Sequence, residues 1–135
     1  VAGTLPQKLR EAYGVGLEIR DEMEKMAKPG VPCSQLYHLS SQLVKKRGLQ
    51  DHFIGTRKNQ APFVGHGIGL EIDELPLLAM GFFQPLEIGM VFAFEPKFIF
   101  PDIGAIALED DYVVTEKGVE KLTHADDRII AIPEP

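Results

Sequence analysis

Leu5, Leu9, Ala12, Gly16, Ile19, Met23 and Met26 recur in alternating steps of four and three residues. That spacing marks one face of an α-helix, so the pattern predicts a helix over Leu5–Met26. Thr4 and Gln7 have the spacing of a capping box, and Pro6 falls in the first turn, where its missing N–H costs no helical bond. Gly14 and Gly16 lower the helix propensity but are small enough to let another element come close. Lys28-Pro29-Gly30 ends the pattern. A second helix is expected over Ser34–Arg47, with Leu36, Leu39 and Leu43 as its apolar stripe. Lys45, Lys46 and Arg47 suit the negative end of its dipole, and Gly48 suits the stop.

Beyond Gly48 the period changes. Gly and Pro punctuate short segments rich in Ile, Val, Phe and Tyr, the pattern of antiparallel strands and loops. Strands are expected over Gly69–Ile72, Met90–Phe94, Ile103–Glu109, Asp111–Thr115 and Val119–Leu122, with Glu116-Lys117-Gly118 as the turn between the last two. Phe98-Ile99-Phe100-Pro101 reads as an apolar loop lining a pocket or an interface. Two helices followed by a sheet is an α+β order, not an alternating βαβ one. No repeat, low-complexity tract or linker divides residues 1–135, which read as part of a single domain.

Composition narrows the function classes. With 44% hydrophobic and 25% charged residues in 135, the chain can bury roughly two-thirds of its unfolded surface and is not a disordered segment. A net charge of −6 lacks the basic footprint that nucleic acid or an anionic membrane requires. No apolar run is long enough for a membrane span. The single cysteine, Cys33, excludes a disulfide scaffold and fits a reducing, cytoplasmic compartment.

Two expected strands share an unusual feature. Val91, Ala93 and Glu95 lie on one face of their strand with Phe92 and Phe94 opposite, and Ala105, Ala107 and Glu109 share a face with Ile106 and Leu108 opposite. Each bulky face is suited to packing on helices, and each small face finishes in a carboxylate. Such carboxylates either end in water or, side by side, need a cation between them. Gly65-His66-Gly67-Ile68-Gly69 adds an imidazole on a backbone free to take unusual conformations and approach a ligand. Imidazole with carboxylates suits Mn, Co, Zn or Fe better than Ca. The glycines do not make a dinucleotide loop, because Leu70 stands where the third glycine would be.

These segments in order resemble the pita-bread metallopeptidases, which include methionine aminopeptidases, aminopeptidase P, prolidase and creatinase. The resemblance is carried by Gly65-His66-Gly67-Ile68-Gly69-Leu70-Glu71-Ile72, Glu74-x-Pro76, Gly89-Met90-Val91-Phe92 leading to Glu95-Pro96, and Glu109-Asp110-Asp111 with Val114-Thr115, Gly118 and Leu122-Thr123. Glu-Asp-Asp and Leu-Thr lean toward the Xaa-Pro branch. The resemblance implies a curved, mostly antiparallel sheet behind two helices, and a site with two divalent metals (Mn, Co or Zn). His66, Glu95 and Glu109 match metal ligands, Glu95 as proton shuttle and Glu109 as bridge. The implied partner is a peptide or Xaa-Pro dipeptide, and a homodimer stays open.

The chain also departs from that pattern. The family's two aspartate ligands are expected shortly before Val1, and Asp21 and Asp51 read as solvated charges rather than replacements. Asp73 stands where a substrate-contacting, catalytic histidine is expected, Pro62 where Xaa-Pro enzymes often carry another, and Ala107 where they usually have arginine. A carboxylate cannot donate to a developing oxyanion unless protonated. His38, His52 and His124 read as structural or solvated, and Cys33 as a helix-start residue. The leading expectation is part of an Xaa-Pro dipeptidase or aminopeptidase, inactive as these 135 residues and binding metal weakly or not at all. The alternative is a non-enzymatic pita-bread module that binds peptide or protein, and a creatinase-like hydrolase has no dedicated residue behind it.

Overall fold

The computed structural model describes Val1 and residues 3–133. Helix α1 spans Gln7–Met26 and α2 spans Cys33–Lys46. The strands are β1 (Gly55–Thr56), β2 (Asn59–Gln60), β3 (Phe63–Gly67), β4 (Glu74–Ala79), β5 (Val91–Phe94), β6 (Lys97–Phe100), β7 (Gly104–Ala107), β8 (Asp110–Thr115) and β9 (Gly118–Lys121). The principal sheet has five strands in the order β4-β3-β5-β8-β9, and its ladders are all antiparallel. β6 and β7 form a separate antiparallel hairpin, and β1 and β2 a smaller one.

The four-and-three stripe of α1 is its buried face: Leu9, Ala12, Gly16, Ile19 and Met23. The capping box does not form. The helix starts after Pro6, whose carbonyl accepts from Leu9 and Arg10 N–H, and the Gln7 amide donates to Glu11 at 2.8 Å. Gly16 earns its place, since a Cβ there would lie 2.9 Å from Leu108 Cδ1. Gly14 has open space around it. In α2 the buried row is Leu36, Ser40 and Val44, one turn apart, while Leu39 and Leu43 only flank it. Ser40 is tolerated in the core because its hydroxyl donates to the Leu36 carbonyl at 2.9 Å. Gly48 takes φ +69 and stops the helix as expected.

Phe92 and Phe94 of β5 and Tyr112 and Val114 of β8 share one buried core with the apolar faces of both helices. Phe92 and Tyr112 stack at 5.7 Å. Two further expectations fail. Gly69–Ile72 is a loop, with Leu70 104% and Ile72 84% exposed. Its alternation imitates a strand, but the Glu74 carboxylate accepts from the Glu71 N–H at 3.1 Å and curls the segment back. The ladder is carried instead by β3 and β4 on either side. Phe98-Ile99-Phe100 is not an apolar loop either: it is β6, with Phe98 and Phe100 buried in the core.

A buried ion cluster fastens the C-terminal segment to α1. Arg20, 8% exposed, donates to both Asp127 carboxylate oxygens at 2.7 Å and to Asp110 Oδ2 at 3.3 Å. Asp110, also buried, is held further by Lys121 at 2.9 Å and the Thr123 hydroxyl at 2.8 Å. The Tyr13 hydroxyl donates to the Asp127 carbonyl at 2.9 Å.

Candidate functional site

β3 and β5 are neighbours, paired Gly65↔Phe94, His66↔Ala93 and Gly67↔Phe92. His66 therefore projects from the same side of the sheet as Ala93, away from the phenylalanine core. Glu95, two residues beyond Ala93, shares that side. Gly65 and Gly67 make the approach possible in a way unlike the expected one. Neither has a positive φ. Their role is the absence of a side chain: a Cβ on Gly65 would collide with the Ala93 carbonyl oxygen, and one on Gly67 with the Leu75 carbonyl.

Glu109 follows from register. The β5–β8 ladder reaches Phe94↔Asp110, and the β6–β7 ladder resumes at Lys97↔Ala107. The Leu108 N–H donates to the Pro96 carbonyl at 3.1 Å between them. The same register extended across the junction sets Glu109 opposite Glu95 along the chain, between the two ladders. Glu109 is exposed.

The geometry around His66 is tight. Nδ1 lies 3.1 Å from the Gly67 carbonyl oxygen, an acceptor, so Nδ1 carries the proton and donates there. Nε2 faces Asp73 Oδ1 at 3.1 Å and Glu95 Oε1 at 3.7 Å. An imidazole nitrogen pointed at two carboxylates calls for a proton or a cation at that point. The other Glu95 oxygen, Oε2, lies 2.6 Å from Lys97 Nζ. The imidazole and Glu95 are shielded, with side chains 9% and 14% exposed, whereas Asp73 is 60% exposed on its loop.

His66, Asp73 and Glu95 are thus brought together, with Glu109 opposite Glu95 at the strand junction. Among the described residues no group of three or more His, Cys, Asp or Glu side chains is arranged to hold a metal ion. Pro62 and Ala107 are exposed at their strand ends. His52 is structural: it stacks on Phe100 at 4.4 Å, and its Nδ1 is 2.9 Å from the Ile99 carbonyl. His38 and His124 are exposed. Asp21 is not simply solvated, since it accepts from Arg20 at 3.3 Å. Cys33 is fully buried at the start of α2, and burial pushes its thiol pKa up.

Sequence reasoning missed Lys97 and the Arg20 cluster. Both had a signal. Lys97 is two residues past Glu95 and so shares its face. Arg20 lies one turn after Gly16, on the edge of the buried stripe, where an arginine needs acidic partners.

The sequence profile of metallopeptidase family M24 matches residues 1–116. The chain belongs to this family. The Xaa-Pro dipeptidase of Pyrococcus furiosus is 32% identical over 130 residues, covering 96% of this chain and 35% of the relative. The Xaa-Pro dipeptidase of Lactobacillus helveticus is 34% identical over 131 residues, covering 97% of this chain and 34% of the relative. Among solved structures, X-Pro aminopeptidase from Thermotoga maritima superposes with a TM-score of 0.86 at 28% identity, over 97% of this chain and 35% of that one. The fold is the pita-bread fold, and the M24 chain spans about a third of the length of the curated relatives it matches. Among its described residues no helix is long and apolar enough to cross a membrane.

Proposed function

We propose that this chain is the metal-site portion of an Xaa-Pro metallopeptidase, a hydrolase of the peptide bond before proline. His66, Glu95 and Glu109 are its share of the ligands to two divalent ions of the Mn, Co or Zn type. The observation that carries the reading is the meeting of His66 and Glu95 from adjacent strands, Nε2 to Oε1 at 3.7 Å, on the side of the sheet away from the core. The names of the relatives supply the substrate class. Bound ions would polarise the scissile carbonyl. The part of this chain is to hold donors in place: the Gly67 carbonyl fixes the imidazole, the β3–β5 ladder fixes its distance from Glu95, and Asp73 supplies an acceptor beside Nε2. These 135 residues alone are expected to lack Xaa-Pro activity, because their donors do not complete a centre.

A second reading has its own support. His66 and Glu95 already have protein partners in Asp73 and Lys97, as they would in a non-enzymatic module that binds peptides. Paramagnetic broadening by excess Mn in an NMR spectrum of the chain separates the two. The metallopeptidase reading expects broadening confined to the surroundings of His66, Glu95 and Glu109. Unchanged signals there, with broadening elsewhere or none, would favour the binding module. Cleavage of an Xaa-Pro dipeptide by these 135 residues with added Mn would overturn the expected inactivity.

A further inference from the structure

The outer side of β7 is an open sheet edge. The Ile54 N–H donates to the Lys97 carbonyl and the Ile99 N–H to the His52 carbonyl, both at 2.8 Å, so the backbone polar groups of Lys97 and Ile99 point away from β7. Phe98 and Phe100 are therefore the β6 residues that bond to β7, through their partners Ile106 and Gly104. Backbone direction alternates along a strand, which turns the N–H and C=O of Ala105 and Ala107 outward. Both residues are exposed, and β7 has no ladder other than the one with β6. The chain continues toward β8 in the same alternation. The Leu108 N–H donates to the Pro96 carbonyl at 3.1 Å, and Asp111, on the outward row, accepts from the Leu122 N–H at 2.7 Å. β9 thus closes this side along β8, with Val113 paired to Glu120 and Thr115 to Gly118, and leaves it open along β7.

The outer strands of the five-stranded sheet are guarded: β4 carries Pro76, and β9 carries Glu120 and Lys121, residue types that discourage strand addition. Ile103–Leu108 has neither a charge nor a proline. Its two ends are acidic, with Asp102 before it and Glu109 after it, both exposed. We infer that β7 takes an extended peptide as an added strand, with small or β-branched uncharged residues along Ala105 and Ala107 and a basic residue at each end, beside Asp102 and Glu109. The net charge of −6 attracts a partner of that sign. A second copy of this chain fits worse. Antiparallel pairing of two β7 edges about Ala105 sets Glu109 opposite Pro101, next to Asp102 of the other copy, at both ends, and like charges there repel. The inference goes beyond the metallopeptidase reading and involves no metal: backbone groups supply the affinity and the acidic ends choose the partner.

The test is an NMR titration of the isotope-labelled 135-residue chain, in buffer with a chelator, by the capped peptide Lys-Val-Ala-Val-Ala-Val-Lys. The Ala105 and Ala107 amide signals should shift, and those amides should become protected from exchange with deuterium oxide. The same peptide with both lysines replaced by glutamate should bind about tenfold more weakly, as turning two attractive cross-strand pairs into repulsive ones implies. A peptide with proline for each valine lacks the donors a ladder needs and should not bind. Ala105→Pro removes an outward donor that the β6 ladder does not use, and should abolish binding while circular dichroism stays that of wild type. The double variant Asp102→Lys, Glu109→Lys leaves the β7 backbone alone and should reverse the preference between the two charged peptides; it carries the test should Ala105→Pro fail to fold. No shift at Ala105 and Ala107 with millimolar peptide, equal binding of the proline peptide, or a charge preference that ignores the double variant would each overturn the inference. So would protection of the same two amides without peptide, growing with protein concentration, since a second copy would then be the occupant. None of these outcomes bears on whether Mn comes to His66, so failure here leaves the metallopeptidase reading standing.

Discussion

Gly65→Ala tests the claim that the site is assembled by a close approach of strands rather than by backbone flexibility. The added Cβ would meet the Ala93 carbonyl oxygen on β5 and lie 2.8 Å from Leu78 Cδ1. Side chains yield to an extra methyl group at a cost of about 1–3 kcal/mol. Leu78 could move in that way. The Ala93 carbonyl cannot, because it belongs to a central ladder of the five-stranded sheet. The cost therefore falls at the upper end, about 3 kcal/mol. With a urea slope of about 1.5 kcal/mol/M, the unfolding midpoint falls by about 2 M. The internal control is Gly14→Ala in α1, where nothing lies within 4 Å of the new Cβ. A solvent-facing Gly→Ala in a helix stabilises by about 1 kcal/mol, so that midpoint should rise. Urea unfolding followed by circular dichroism reads both. A Gly65→Ala midpoint equal to wild type, or two variants shifting the same way, would refute the steric account of the Gly65-His66-Gly67 segment.

Arg20→Met leaves Asp110 buried with only Lys121 and Thr123, and should cost about 3 kcal/mol in the same urea assay; a loss below about 1 kcal/mol would mean the cluster is replaceable by packing. The Arg20 guanidinium holds the Asp127 carboxyl below its ordinary value of 3.8. A depressed folded pKa means stability that is present above 3.8 and lost as pH falls through the lower, folded value. Wild type should thus lose stability on acidification more steeply than Arg20→Met, and parallel curves would count against the pairing. Cys33 is fully buried with its thiol pKa raised by burial, so a disulfide reagent should modify it only on unfolding, at a rate that follows urea concentration. Rapid modification of the native chain would contradict that burial.

Much of this molecule is written in local pattern. The buried stripe of α1, the glycine stop of α2, and β5, β8 and β9 follow from periodicity and turn chemistry, because each depends on neighbours in sequence. The carboxylate-ended small faces at Glu95 and Glu109 were legible for the same reason: strand alternation fixes which residues share a side. Local pattern misled where it had no tertiary partner. Leu70 and Ile72 alternate like a strand with Glu71 between them, yet they join no strand and both remain exposed. Phe98-Ile99-Phe100-Pro101 reads as a loop from its apolar run alone, and pairing with β7 and the bridge to Phe53 make it a strand with Phe98 and Phe100 in the core.

The sequence by itself determined which residue types could serve as ligands and on which side of each strand they stand. Only the tertiary structure decided what they face. Pairing of β3 with β5 brought Glu95 Oε1 to 3.7 Å from His66 Nε2. That contact depends on the register between two strands separated by the β4 segment, and register is not encoded in the period of either strand alone.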